Sequence, residues 1–241
     1  MKSGRQISRG LSASPINLFD YTVDQQTDLG AEIKDTTGNV FVYVKAGASA
    51  LQVGKVQQSP AIVANHQNIA VASAVSAGQK KVTVTLGATA VAKNYYANGL
   101  LVINDADGQG HTYQIESNPS ADASGSLVLT LSDELLVALT TSSEACLIPN
   151  PYNGVIINPT TATNKPCGVG ITPIPANYFG WIQRKGNVAC LNDGGTAVGL
   201  GLAPSGSVAG ALATVAATTN QVGSALQAGV DTESRTVFID M

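Results

Sequence analysis

Residues 199–206, GLGLAPSG, are the first place where chemistry is conceivable, because glycine-rich turns bring backbone N–H groups close to phosphate. A dinucleotide fingerprint needs its glycines between a buried parallel strand and a helix N-terminus, and a Walker loop needs a following Lys-Ser/Thr. Neither frame surrounds this stretch. Gly199 and Gly201 are read instead as bends or points of close backbone approach, and Pro204-Ser205-Gly206 as turn chemistry. Residues 104–110, NDADGQG, have the Asp-x-Asp-Gly look of a calcium loop. With Gly108 in the sixth place the first ligand would be Ile103 and the twelfth Gln114, so both anchoring carboxylates are missing and a tight hairpin is the reading.

The other reactive side chains are scattered. Cys146, Cys167 and Cys190 are odd in number and widely spaced, with no CxxC pair, which encodes neither a disulfide framework nor a zinc site. They are expected to be reduced, buried and small. A nucleophilic cysteine would want a histidine, and only His66 and His111 exist. His111 follows the NDADGQG turn on a strand edge with no second ligand nearby in sequence. Asp35, Asp105, Asp107, Asp122, Asp193 and Asp231 fall in turns or helix-start positions, where solvated carboxylates outnumber the paired ones of glycoside hydrolysis. There is no GxSxG elbow, and Ser205 and Ser207 lack an identifiable base. Trp181, with Tyr178 and Phe179, offers either a sugar platform or a core anchor beside Gly180, and the core is the better reading. No catalytic, cofactor-binding or metal residue is assigned, and the expectation is a protein that is not an enzyme and needs no cofactor.

Composition points the same way. Charged residues make up 12% of the 241 residues and hydrophobic ones 44%, about half the usual charged share. The exterior must therefore be finished with Ser, Thr, Asn, Gln, Gly and Ala, a surface with little self-repulsion that suits burial against other protein. A secreted β protein with a Thr/Asn-rich coat is the alternative. The net charge of −3, with no basic cluster beyond the N-terminus, counts against nucleic acid as a partner. No apolar run reaches the roughly 18 residues of a membrane span. The basic start MKSGRQISRG leads into LSASPINLFDY and not into an apolar signal core, so synthesis and retention in the cytoplasm are expected.

The elements that must position these residues read as strands. From Gly38, Val40, Val42 and Val44 alternate with Phe41, Tyr43 and Lys45, and LQVGKVQQ follows at a hairpin-like distance, which predicts an antiparallel pair. Residues 69–75, the turn SAGQ and KVTVTL come next, with Val82, Val84 and Leu86 on one face. Asn98-Gly99 introduces LLVIND, and Asp107-Gly108 leads into HTYQIES. SDELLVAL suits either a short helix capped by Ser132 or a strand. The proline-rich span 148–175 reads as a travelling connection. FGWIQRKG, NVACL and RTVFIDM then supply further strands, with Val237 and Ile239 facing one way, while SVAGALATVAA suits a short helix or a flat strand.

The segments LGAEIKDTTGNVFVYVKAGASALQVGKVQQSP, VTVTLGATAVAKNYYANGLLVINDADGQGHTYQI, LIPNPYNGVI, YFGWIQRKGNVACLNDGGTAVG and VGSALQAGV resemble virion structural proteins of tailed bacteriophages, in particular the small β-rich capsid cement or decoration proteins. The likeness spans residues 29 to 241 and rests on glycines, turns and strand patterns. It implies a protein that binds the outer face of the head as a homotrimer and bridges major capsid subunits against internal DNA pressure. A tail, baseplate or head-fibre component, or a carbohydrate-binding β module, remains as an alternative. The fold expected is all-β: a small β-barrel or sandwich from 29–66 plus 150–241, an inserted antiparallel β meander over 67–149, an N-terminal arm and lead-in over 1–28, and little helix. The proline-marked segments VQQSPAIVANHQ and LIPNPYN suggest the insertion, and two consecutive domains are the alternative. Lys2, Arg5 and Arg9, without an acidic neighbour in the arm, either belong to simple disorder or lie across an acidic capsid surface.

Overall fold

The computed structural model describes residues 17–216 and 220–241. Lys2, Arg5 and Arg9 lie outside the described residues. The chain divides into two compact units, one of Met1–Pro60 with Pro151–Met241 and one of Ala61–Asn150. The first unit begins with β1 (Glu32–Lys34), β2 (Val40–Ala46) and β3 (Val56–Gln58). The second supplies β4 (Ile69–Ala70), β5 (Lys81–Thr85), β6 (Leu100–Asp105), β7 (Thr112–Ser117), β8 (Ser126–Leu131) and β9 (Glu144–Ile148). The first then resumes with β10 (Asn153–Ile157), β11 (Pro166–Gly170), β12 (Phe179–Leu191), β13 (Gly201–Pro204), β14 (Leu212–Thr214), β15 (Gly223–Ala225) and β16 (Ser234–Asp240). The one helical element among the described residues is a 3-10 turn, Ala64–His66. The protein is thus all-β, with closed and nearly closed barrel-like sheets.

In the first unit β2, β10, β3, β11 and β12 pair in that order and β12 returns to β2, closing a ring of five strands. A ring this small is filled by its own side chains: Val42, Val44 and Ala46 point inward with Val155, Cys167 and Ile182. The alternate residues Phe41 and Tyr43 do not meet solvent. They pack with Phe179 and Trp181 on the outside of the ring, under Leu18, Leu29 and Ile33 of the preceding segment. β2 is therefore buried on both faces. The register of β12 on β2 shifts between Gln183 and Lys185; from Lys185, the last residue paired with β2, β12 continues as the partner of β16, which carries β15, β13 and β14 in turn. Gly186 makes that bend possible: its φ is +104°, and a Cβ there would lie 2.0 Å from Asn39 Oδ1. The same oxygen accepts the Asn187 N–H at 3.0 Å, which ties the β1–β2 turn to the bend.

Three sequence expectations are corrected here. LQVGKVQQ does not form a hairpin with β2, because β10 lies between β2 and β3 and pairs in parallel with β2. The proline-rich span 148–175 is not a mere connection, since it provides two strands of the ring, β10 and β11. Its prolines flank those strands or start them, as Pro166 starts β11, so no ladder N–H inside a strand is lost. FGWIQRKG and NVACL form one bent strand of 13 residues.

In the second unit β6, β7 and β8 run as a meander, β5 pairs with β8 and β9 with β6, all antiparallel. β4 pairs with β9, and a bridge between Val71 and Val84 brings the two edges of the six-stranded sheet together. Val82 and Val84 face inward as the alternation requires, with Leu101, Ile103, Ile115, Leu127, Leu129 and Leu147. Each such side chain stabilises the unit by about 1.5–3 kcal/mol through burial alone. SDELLVAL is neither helix nor strand; it is a loop held by a bridge from Leu139 to Val75.

Candidate functional site

Both histidines and several of the acidic residues singled out above are engaged locally. His66 is buried, with Nδ1 2.6 Å from the Tyr96 hydroxyl and Nε2 2.8 Å from the Thr89 carbonyl. His111 Nδ1 lies 3.0 Å from the Gly108 carbonyl, and its ring stacks on Tyr113. Both histidines belong to the Ala61–Asn150 unit. The cysteines are free; burial pushes the Cys167 and Cys190 thiols up to about 12. In the NDADGQG turn, Asp105 Oδ1 accepts the Ala106 N–H at 2.8 Å and Asp107 Oδ2 accepts the Thr140 hydroxyl at 2.9 Å. Positive φ at Ala106, Gly108 and Gly110 shapes the turn. Trp181 is 5% exposed and lies 5.1 Å from the Tyr43 ring, so it presents no face to a sugar.

Among the described residues Ser205 is a buried hydroxyl joined to a carboxylate, donating to Asp193 Oδ2. Its oxygen accepts the N–H groups of Ser207 at 2.9 Å and Val208 at 3.0 Å, which is the geometry of a serine holding its own turn. Its unit contains no histidine. Among the described residues no group of three or more His, Cys, Asp or Glu side chains is placed to hold a metal ion. No helix among them is long and apolar enough to cross a membrane.

What the first unit does display is a two-stranded ribbon that continues the β13–β15 pairing past the end of the strands. The Ala225 N–H donates to the Leu200 carbonyl at 2.9 Å and the Gly199 N–H to the Ala225 carbonyl at 2.8 Å. Further out, Thr196 and Gly229 exchange both of their backbone bonds, at 3.1 and 3.0 Å. Residues 194–200 and 225–230, which make up the ribbon, contain no Asp, Glu, Lys or Arg. Val198 is 63% exposed, Leu200 42%, Leu226 45% and Val230 63%. Four large apolar side chains are thus held outward on one short, uncharged element. Asp193 and Asp231 flank it, and the Gly194 N–H donates to Asp231 Oδ1 at 2.8 Å, fixing the tip.

Thr196 of the ribbon is buried, as are Asn192 and Arg235 beside it. Asn192 Nδ2 donates to the carbonyls of Gly194 and Val230, and its Oδ1 accepts the Thr196 hydroxyl at 3.2 Å. The ribbon is thus pinned from below by one amide. Neither the ribbon nor Arg235 stood out in the sequence. The alternation of SRTVFID does set Arg235 at the same parity as Val237 and Ile239, which was the available signal. A second exposed apolar group, Phe19, Tyr21 and Val23, lies on the segment before β1, held by paired backbone bonds between Thr22 and Phe179 at 2.9 and 2.8 Å. No protein-family model, no curated protein and no solved structure matches this chain.

Proposed function

We propose that the protein is a structural subunit of a virion, a capsid cement or decoration protein of a tailed bacteriophage. In this role it binds the outer face of the head as a homotrimer and bridges major capsid subunits. The observation that carries the reading is the uncharged ribbon with Val198, Leu200, Leu226 and Val230 turned outward. Apolar side chains on an element without ions lose water at little electrostatic cost when covered by a neighbouring subunit, whereas a surface rich in unpaired charge does not.

Two further features support it. The exterior carries few ion pairs among the described residues, Arg184 with Glu32 and Lys185 with Asp240, each with partly exposed side chains. The reactive groups are spent on local turns and core contacts, which suits a part that bears load without turnover. In this role Lys2, Arg5 and Arg9 would lie over acidic capsid surface.

Electron cryomicroscopy of purified particles that carry this chain tests the proposal. Density for both units on the outer surface of the head, with the 194–200 and 225–230 ribbon against another subunit, is the expected result. Density for the chain in the tail or baseplate, or on the head with the ribbon facing solvent, would overturn it.

A further inference from the structure

The chain leaves the ring at the end of β3 and re-enters it at β10, and these two strands are antiparallel neighbours, with Gln57 opposite Ile157 and Gln58 opposite Ile156. Ala61–Asn150 therefore occupies the place of a hairpin turn. Exit and entry lie side by side: a Cβ on Gly154 would be 3.8 Å from Cβ of Pro60. The exit is held from within the first unit, where the Ser59 N–H donates to the Lys165 carbonyl at 3.1 Å and Asn164 Nδ2 to the Pro60 carbonyl at 2.6 Å. An antiparallel pair needs only a short turn to be joined, so the closure of the ring does not call for a second unit at this point.

The second unit is complete in its own terms. Its ends are brought together by the pairing of Ile69 with Ala145 and by Gln67 Nε2, which donates to the Leu147 carbonyl at 2.8 Å. Its core is drawn from residues 69–147, and the Val71–Val84 bridge joins the edges of its sheet. A domain of this length buries enough of its chain to fold without staples. Charge is divided as well. Seven Asp and Glu against three Lys put Ala61–Asn150 at −4, and since the whole chain is at −3 the remainder is at +1. The uncharged ribbon and the exposed Phe19, Tyr21 and Val23 belong to the first unit. Net charge of one sign favours solvent, because covering unpaired ions with protein is costly.

We propose that Ala61–Asn150 is a self-supporting module inserted in the β3–β10 hairpin, which folds independently of the first unit and stays in solvent while the first unit makes the subunit contacts. The part about contacts rests on the assembly role proposed above; the independence of the fold does not.

The test uses the full chain. Leu129→Ala cuts into the module's core, hydrogen exchange of the β5 and β8 amides reports the module, and Trp181, packed with Leu18, Tyr43 and Phe179, reports the first unit. Exchange in β5 and β8 should quicken by about 30-fold or more, while the urea midpoint of Trp181 emission stays at its native value. A midpoint that falls in step with the exchange makes the two units one cooperative fold and overturns the module. Ile115→Val, with exchange faster by about two- to ten-fold, decides the same point should Leu129→Ala not fold. For the contacts, Leu226→Asp charges the ribbon and Leu136→Asp the module, both at exposed positions. Heads assembled with Leu226→Asp should lack the chain, and heads assembled with Leu136→Asp should carry it at the native level. Loss with Leu136→Asp overturns the division of contacts. A native chain found with tails and not with heads defeats the assembly reading and the contacts that rest on it, and the exchange result then decides the independent fold by itself.

Discussion

The Tyr96 hydroxyl sits 2.6 Å from Nδ1 of His66 while Nε2 of the same ring lies 2.8 Å from the Thr89 carbonyl. A carbonyl only accepts, so in the neutral ring Nε2 carries the proton and Nδ1 accepts from the phenol. The imidazole therefore joins residue 66, in the 3-10 turn, to two points more than twenty residues downstream. It is a structural histidine with both nitrogens committed. Tyr96→Phe removes the donor and leaves Nδ1 buried without a partner, at a cost of about 1–3 kcal/mol. Urea unfolding of the variant checks this; a midpoint unchanged from the native protein would show that the bond contributes nothing.

The cysteines divide by burial. Cys167 and Cys190 are enclosed, with thiols pushed up to about 12, while Cys146 is half-buried, its sulfur 3.3 Å from the Asn68 N–H. The thiolate is the species that alkylates. Iodoacetamide at about pH 8 should label Cys146 alone in the native protein, and all three after denaturation. Peptide mass spectrometry reads the sites, and early labelling of Cys190 would contradict the burial described here.

The strand pattern was legible where one periodicity dominated. Val82 with Val84, and Val237 with Ile239, alternate cleanly and face inward as read. Pairing was less legible, because alternation says which residues share a face and nothing about which strand lies alongside. LQVGKVQQ follows β2 in sequence, yet β10, about a hundred residues later, takes the place beside it. Prolines misled for a related reason: Pro151 and Pro159 bracket the five-residue β10, and Pro166 opens the five-residue β11. The candidate surface was illegible because exposure of Val198 or Leu226 depends on where the core stops. Leu202 is buried and Leu200, at the same parity, lies beyond that limit.

Trp181, the sole tryptophan, reports on the segment before β1. It packs in one cluster with Leu18, Tyr43 and Phe179. Its emission should be blue-shifted and resistant to acrylamide. Leu18→Ala opens that cluster, with an expected loss of about 2–4 kcal/mol and a clear rise in quenching. Unchanged quenching would mean that residues near 18 do not cover the ring.

The last prediction concerns the turn between β1 and β2. Asp35 is buried, and burial alone would raise its pKa. Hydrogen bonds from Thr37 and Asn39 outweigh that and hold it below the ordinary 3.8. Its Oδ1 accepts the Thr37 N–H at 2.8 Å, the Thr37 hydroxyl at 2.7 Å and the Asn39 N–H at 3.0 Å, and Oδ2 accepts Asn39 Nδ2 at 2.9 Å. Because Asn39 also accepts the Asn187 N–H at the bend of β12, the carboxylate supports the junction of the barrel with the β16 sheet. A folded pKa below the unfolded one means stabilisation that is fully present above about pH 4 and lost as pH falls through the folded value. Asp35→Asn removes the titration and puts an amide N–H₂ against the donors of Asn39, costing about 1–3 kcal/mol at neutral pH. The gap in unfolding free energy between native and Asp35→Asn protein should therefore hold steady from neutral pH down to about 5 and narrow below about 4. A gap that stays constant through the acid range would show that the carboxylate is not held in its charged form by the turn.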